Sequence, residues 1–218
     1  MRNKFDEQLL QLNHEMIEMG ALCEEVIALS SRALTEGNVA LAAKVGPLDS
    51  EIDHKEREIE NLCLKLLLRQ QPVARDLRQI SAALKMITDM ERIGDQAEDI
   101  AEIVAFLDGR QAENDALLKE MAKAVIQMVT ESVDAYVKCD IMLAKKVIAA
   151  DDVVDEQFAR VKQSLIGKIA ADPADGEYAL DLLMIAKYYE RIGDHATNIA
   201  EWVIYSVTGT HKDEITLT

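Results

Sequence analysis

The pentapeptide Glu-Arg-Ile-Gly-Asp occurs at residues 91–95 and again at 190–194, an offset of 99 residues in a chain of 218. Each copy lies late in a long helical pattern, and the sequence around it also matches. Asn38-x-x-Leu41-Ala42-x-Lys44-Val45 aligns with Asp140-x-x-Leu143-Ala144-x-Lys146-Val147 at an offset of 102, which carries Asp49 and Asp53 onto Asp151 and Asp155. Ile100-Ala101-Glu102 returns as Ile199-Ala200-Glu201 at an offset of 99. A duplication of this kind constrains the fold more than any single motif does. The protein is two versions of one unit, and with half its residues apolar a buried core is available to each half.

Within each unit the pattern is helical. Phe5, Leu9, Leu12, Met16, Met19, Cys23, Val26, Ser30 and Ala33 follow alternating steps of four and three, a 3.5-residue period that asks for near-parallel helical partners. Gly37-Asn38 supplies a C-terminal cap. A second helical pattern starts near Asn38, is interrupted at Gly46-Pro47, and resumes through Ile52, Ile59, Leu62 and Leu66 to about Gln70. Pro72 is placed to open a third helix, which runs to Leu107 before Asp108-Gly109. The second half predicts a helix from about Asn114 to Lys138, another from Asp140 to about Ala171, a break at Asp172-Pro173, and a last helix from Ala174 to about Val207. Three prolines, nine glycines and 4% aromatics fit six long helices. The expected fold is all-α, two tandem three-helix bundles over 1–109 and 110–207, with a polar tail over 208–218.

The formal net charge of −16 argues against nucleic acid, whose phosphates need clustered Lys and Arg, and against anionic membrane surfaces. No apolar run is long enough to span a bilayer, and the first residues lack the apolar stretch of a signal peptide. Cys23, Cys63 and Cys139 are odd in number and widely spaced, which reads as buried reduced thiols in a cytoplasmic protein.

Residues four apart share a helix face. Asp49/Asp53 and Glu91/Asp95 therefore form two acidic rows on neighbouring helices, the second extended by Asp99. Asp151/Asp155 and Glu190/Asp194, extended by Asn198, repeat the arrangement. Like charges at this spacing cost a helix about 0.2–0.5 kcal/mol per pair. The recurrence of that cost in both halves calls for a compensating cation, for which hard oxygen ligands suit Mg, Ca, Mn, Fe or Zn. The competing reading is a solvated acidic face partly neutralised by Arg92 and Arg191. Gly94 and Gly193 stand inside helices, where each permits close approach of a helix or an ion. Glu51-x-x-His54 has the spacing found in di-iron bundles, but Val153 and Glu156 stand at the matching positions, so it is not repeated. His195 follows Asp194 where Gln96 stands in the first half, which reads as a surface histidine. No phosphate loop, nucleophile elbow or zinc motif is present.

Together with Arg69-Gln70-Gln71-Pro72 and Asp76-Leu77-Arg78, these motifs resemble the PhoU family of bacterial phosphate-response regulators over nearly the whole chain. The resemblance implies multinuclear metal clusters, iron or zinc, on the bundle surface. The ligand candidates are Asp49, Asp53, Glu91, Asp95 and Asp99, then Asp151, Asp155, Glu190 and Asp194. Asn198 departs from an all-carboxylate row. It further implies a non-enzymatic homodimer that restrains phosphate uptake and the phosphate regulon, working between the phosphate ABC transporter ATPase and the sensor histidine kinase of the two-component system. The alternatives are a metal-free helical adaptor and a di-metal carboxylate enzyme.

Overall fold

A computed structural model describes residues 2–70, 72, 74–107, 109–110 and 116–210. Residues 211–218 of the expected polar tail and 111–115, where the fourth long helix was expected to open, lie outside them. The described chain is helical throughout: α1 (Arg2–Glu36), the single turn α2 (Val39–Ala42), α3 (Val45–Gln70), α4 (Arg75–Phe106), α5 (Ala116–Lys138), α6 (Ile141–Ala171), a 3-10 turn (Pro173–Asp175) and α7 (Gly176–Thr208).

Helices α1, α3 and α4 form the first bundle and α5, α6 and α7 the second. The two do not stand apart. α4 lies along α7 in the most extensive helix pairing of the chain, and α1 also packs on α5. One continuous core results. The stripe expected on α1 forms part of it, with Leu12, Met16, Met19, Cys23, Val26, Ser30 and Ala33 inaccessible to solvent. Each such Leu or Met contributes about 1.5–3 kcal/mol through burial. Gly20 lets α1 approach α5 closely, since a Cβ there would sit 3.1 Å from a methyl of Val133.

The duplication extends to the turns. Gly37 is left-handed at φ 60°, the Asn38 amide donates to the Ala33 carbonyl at 2.9 Å, and the Asn38 side chain caps α2 by accepting from Leu41 at 3.1 Å. At the offset of 102, Cys139 is left-handed at φ 51°, Asp140 donates to Ala135 at 2.9 Å, and the Asp140 side chain caps α6. Both are helix-ending motifs that satisfy orphan carbonyls and start the next helix at once.

Three helix boundaries differ from the sequence expectation. The break before α3 falls at Ala43-Lys44, not Gly46-Pro47. Pro47 then occupies the first turn of α3, where its missing N–H goes unneeded. Pro72 precedes α4, which opens at Arg75 after Ala74 at φ 42°. Pro173 begins the 3-10 turn, with Asp172 accepting from the Ala174 amide, and α7 follows from Gly176. Cys23 and Cys63 are buried as expected, whereas Cys139 is only half-buried at its turn.

Candidate functional site

The two acidic faces lie where α3 packs on α4 and where α6 packs on α7. In the first, Asp49 sits above the glycine of the pentapeptide. A Cβ on Gly94 would lie 2.5 Å from Asp49 Oδ1 and 3.1 Å from Ile52 Cδ1. The second reproduces this: a Cβ on Gly193 would lie 3.2 Å from Asp151 Oδ1 and 3.5 Å from Val154 Cγ1. The helix glycine is therefore a seat for the carboxylate of the facing helix. Both oxygens are buried with no hydrogen-bond donor among the described residues. A carboxylate oxygen so placed is costly unless it gains a proton or a cation.

The electrostatics agree. Burial pushes the Asp49 carboxyl up to about 7, assisted by the charges of Glu98, Asp95, Asp53 and Glu91. Asp151 is raised to about 6 by burial and then by Asp194, Asp155, Glu190 and Asp152. Burial also raises Glu91, Glu98 and Asp194, each with neighbouring carboxylates adding to the effect. Asp49, Asp53, Glu91 and Asp95 thus act on one another across α3 and α4, as do Asp151, Asp155, Glu190 and Asp194 across α6 and α7. Two acids missed by the repeat-based reading belong to the first face. Glu98 contributes the largest neighbouring charge on Asp49, and Glu56 acts on Glu91. Neither is repeated: Thr197 and Phe158 stand at their places, which is why the duplication did not reveal them.

Cations already touch these faces. Arg57 bonds Asp53 at 3.2 Å, and Arg92 lies 3.5 Å from Glu91 and 3.4 Å from Asp95. Lys187 pairs with Glu190 in the second. Arg191 instead acts on Asp99 of the first repeat.

Asp99 and Asn198, the third-turn extensions, face the seam between α4 and α7. Asp99 accepts from the Tyr188 hydroxyl. Asn198 donates to Asp89 Oδ1 at 3.0 Å, and His195 Nδ1 lies 2.9 Å from the same oxygen. His195 is therefore a partly buried partner of Asp89, not the surface residue its place in the repeat suggested. Glu51 and His54 are exposed, and His54 pairs with Glu58 at 3.4 Å, so this couple does not point into the bundle as a di-iron site requires.

The donor set suits hard cations, and the orphaned Asp49 and Asp151 oxygens fit such a ligand. Among the described residues, no three His, Cys, Asp or Glu side chains form a ready-made metal cage. The acids are arrayed on open faces rather than converged on a point.

A family model described as the PhoU domain matches the chain twice, at residues 16–104 and 118–203, one match in each bundle. A Clostridium acetobutylicum protein named phosphate-specific transport system accessory protein PhoU homolog is 36% identical over 216 residues, spanning 97% of this chain and 98% of its own. The crystal structure of PhoU from Pseudomonas aeruginosa superposes with a TM-score of 0.88 at 34% identity, covering 94% of this chain and all of its own. That of the phosphate transport system regulatory protein PhoU from Streptococcus pneumoniae gives 0.87 at 26% identity, covering 95% and 98%.

Proposed function

The chain belongs to the PhoU family, and from that premise we propose that it is a cytoplasmic, non-enzymatic regulator that restrains phosphate uptake and phosphate-responsive gene expression. It acts by docking on the transporter ATPase and on the sensor kinase as a homodimer. The names of its relatives, a phosphate-specific transport accessory protein and a phosphate transport regulatory protein, support the phosphate role. No helix among the described residues is long and apolar enough to cross a membrane, which suits a protein that meets a transporter from the side.

The observation that carries the mechanism is the duplicated carboxylate seat, Asp49 over Gly94 and Asp151 over Gly193. Asp49, Asp53, Glu91 and Asp95 would hold cations on the first face, and Asp151, Asp155, Glu190 and Asp194 on the second. Asp99 and Asn198 stand at the seam edge. A bound iron or zinc ion supplies positive charge, which reverses the local sign of an acidic surface and lets it meet an anionic partner. The protein's own part is to present those carboxylates on rigid helices with one oxygen of each seat already stripped of water. The metal-free adaptor reading is favoured by one observation, the absence of a ready-made cage among the described acids.

Deleting the gene and restoring it with wild-type or Asp49/Asp53/Glu91/Asp95→Ala chains tests both levels. We expect raised phosphate uptake and phosphate-gene expression in the deletion, corrected by the wild type only. Metal content of the purified proteins is measured alongside. Full correction by the variant refutes a role for the first face. Correction by a wild type that carries and accepts no metal transfers the function to the adaptor.

A further inference from the structure

The two faces are built alike but are not electrically alike. At one corner of the first, the Thr88 hydroxyl of α4 lies 3.4 Å from Glu56 Oε1 of α3. At the matching corner of the second, Lys187 replaces Thr88 and Phe158 replaces Glu56. The Lys187 ammonium pairs with Glu190, whose side chain is only 14% exposed, and lies 5.6 Å from the centroid of the Phe158 ring. Glu56 with Thr88 carries one negative charge. Phe158 with Lys187 carries one positive charge. The ring offers its negative face to the ammonium and no competing carboxylate, so the pair holds Lys187 over the acids of α7. Glu98 of the first face is also lost, to Thr197, while Asp152 is gained where the first half has Ser50.

Arg57 and Arg92 do not balance this difference. All three cations reach an acid of their own helix; Arg57 and Arg92 are 68% and 55% exposed, whereas Lys187 is 44% exposed, lies on the Phe158 ring and meets the most buried of these acids, Glu190. Exposed pairs such as those of the two arginines are weak and readily displaced. Asp49 is 8% exposed, with its inner oxygen unpartnered. No basic group is among the main influences on either Asp49 or Asp151; Lys187 acts instead on Asp194, beside Glu190.

We propose that Lys187 is a resident counter-ion of the second face, so that the first face binds divalent cations more tightly and Lys187 sets the difference. This rests on the reading that both faces bind cations. One ammonium beside Glu190 competes for the same oxygens and repels an incoming ion. Because Lys187 is 44% exposed, solvent screening holds this Coulomb effect to about a tenfold change in affinity.

The test is calorimetric titration of chelator-stripped full-length protein with zinc chloride. Wild type is compared with Lys187→Thr, the converse Thr88→Lys, and Asp49→Asn and Asp151→Asn to assign the sites, with thermal melts to verify folding. We expect two classes of site about tenfold or more apart. Asp49→Asn should remove the tight class and Asp151→Asn the weak one. Lys187→Thr should bring the weak class to within about threefold of the tight one, and Thr88→Lys should weaken the tight class. Two classes that Lys187→Thr leaves unchanged in a folded protein overturn the counter-ion role alone. A weak class that maps to Asp49 overturns the ranking. No zinc binding in any variant overturns this inference and the cation reading beneath it.

Discussion

Asp49 Oδ1 stands 2.5 Å from where the Cβ of an alanine at position 94 would be, so the carboxylate of α3 occupies the space that Gly94 leaves open on α4. The repeat places Asp151 over Gly193 with more room, 3.2 Å. A single residue type thus couples two helices and an acid in both halves.

Gly94→Ala should push the Asp49 carboxylate out of its seat. The better helix propensity of alanine is worth about 1 kcal/mol, so the net change in stability should stay within about 1 kcal/mol. Zinc affinity of the first face should fall by about tenfold or more, since its most buried donor is displaced. Gly193→Ala, with its looser contact, should change the second face less. Thermal melts and zinc titrations of the two variants read both effects, and equal losses would refute the seat.

Stability without metal should depend on pH through Asp49. Its carboxyl is raised from an ordinary 3.8 to about 7, so the folded chain holds this proton more tightly than the unfolded one. Unfolding then releases a proton, and stability falls as pH rises from about 4 to about 7 and levels above that. Asp151 contributes likewise up to about 6. Asn at position 49 should abolish this dependence, on the order of 4 kcal/mol across the window. Urea melts in chelator from pH 4.5 to 8 compare the variant with wild type; parallel curves would count against the buried seat. Cation affinity should run the other way and rise with pH, because protons and metal compete for the same oxygens.

Cys139 sits at φ 51°, the left-handed conformation its counterpart Gly37 adopts at φ 60°. A non-glycine residue there costs about 1 kcal/mol. Cys139→Gly should therefore stabilise the chain by about 0.5–1 kcal/mol, and Gly37→Ala should destabilise it by about 1 kcal/mol. Denaturant midpoints for the two variants should move in opposite directions.

Asp89 binds His195 at 2.9 Å and Asn198 at 3.0 Å across the seam between α4 and α7. Asp89→Ala should cost about 1 kcal/mol by leaving the partly buried His195 without its acceptor, the exposed Asn198 turning to water instead. A double-mutant cycle with His195→Ala should return a coupling of about 0.5–1.5 kcal/mol. A coupling near zero would show that the Asp89–His195 contact does not help to hold the two helices together.

Helix type and order were legible in the chain because a strict apolar period and paired turn signals act locally. Met16, Met19, Cys23 and Val26 on α1 are all fully buried, as their spacing requires. The boundaries at Gly46-Pro47 and Pro72 were misplaced because proline fits either a first turn or the segment before it. Only the cap geometry of the neighbouring residues distinguishes the two. The acidic rows were found through their repetition, and Glu56 and Glu98 were missed because they break it.

The sequence by itself determined the duplication, the helices and the face on which each acid lies, since all three follow from spacing along one chain. Tertiary structure decided what those faces meet. Docking of α3 on α4 buried one oxygen of Asp49 over Gly94 without a donor. Packing of α4 along α7 turned Asp99 and Asn198 toward the seam and gave His195 and Asn198 the same acceptor in Asp89. Helix periodicity fixes a side chain's direction around its own axis. The partner, the burial and hence the charge state depend on which helix lies opposite.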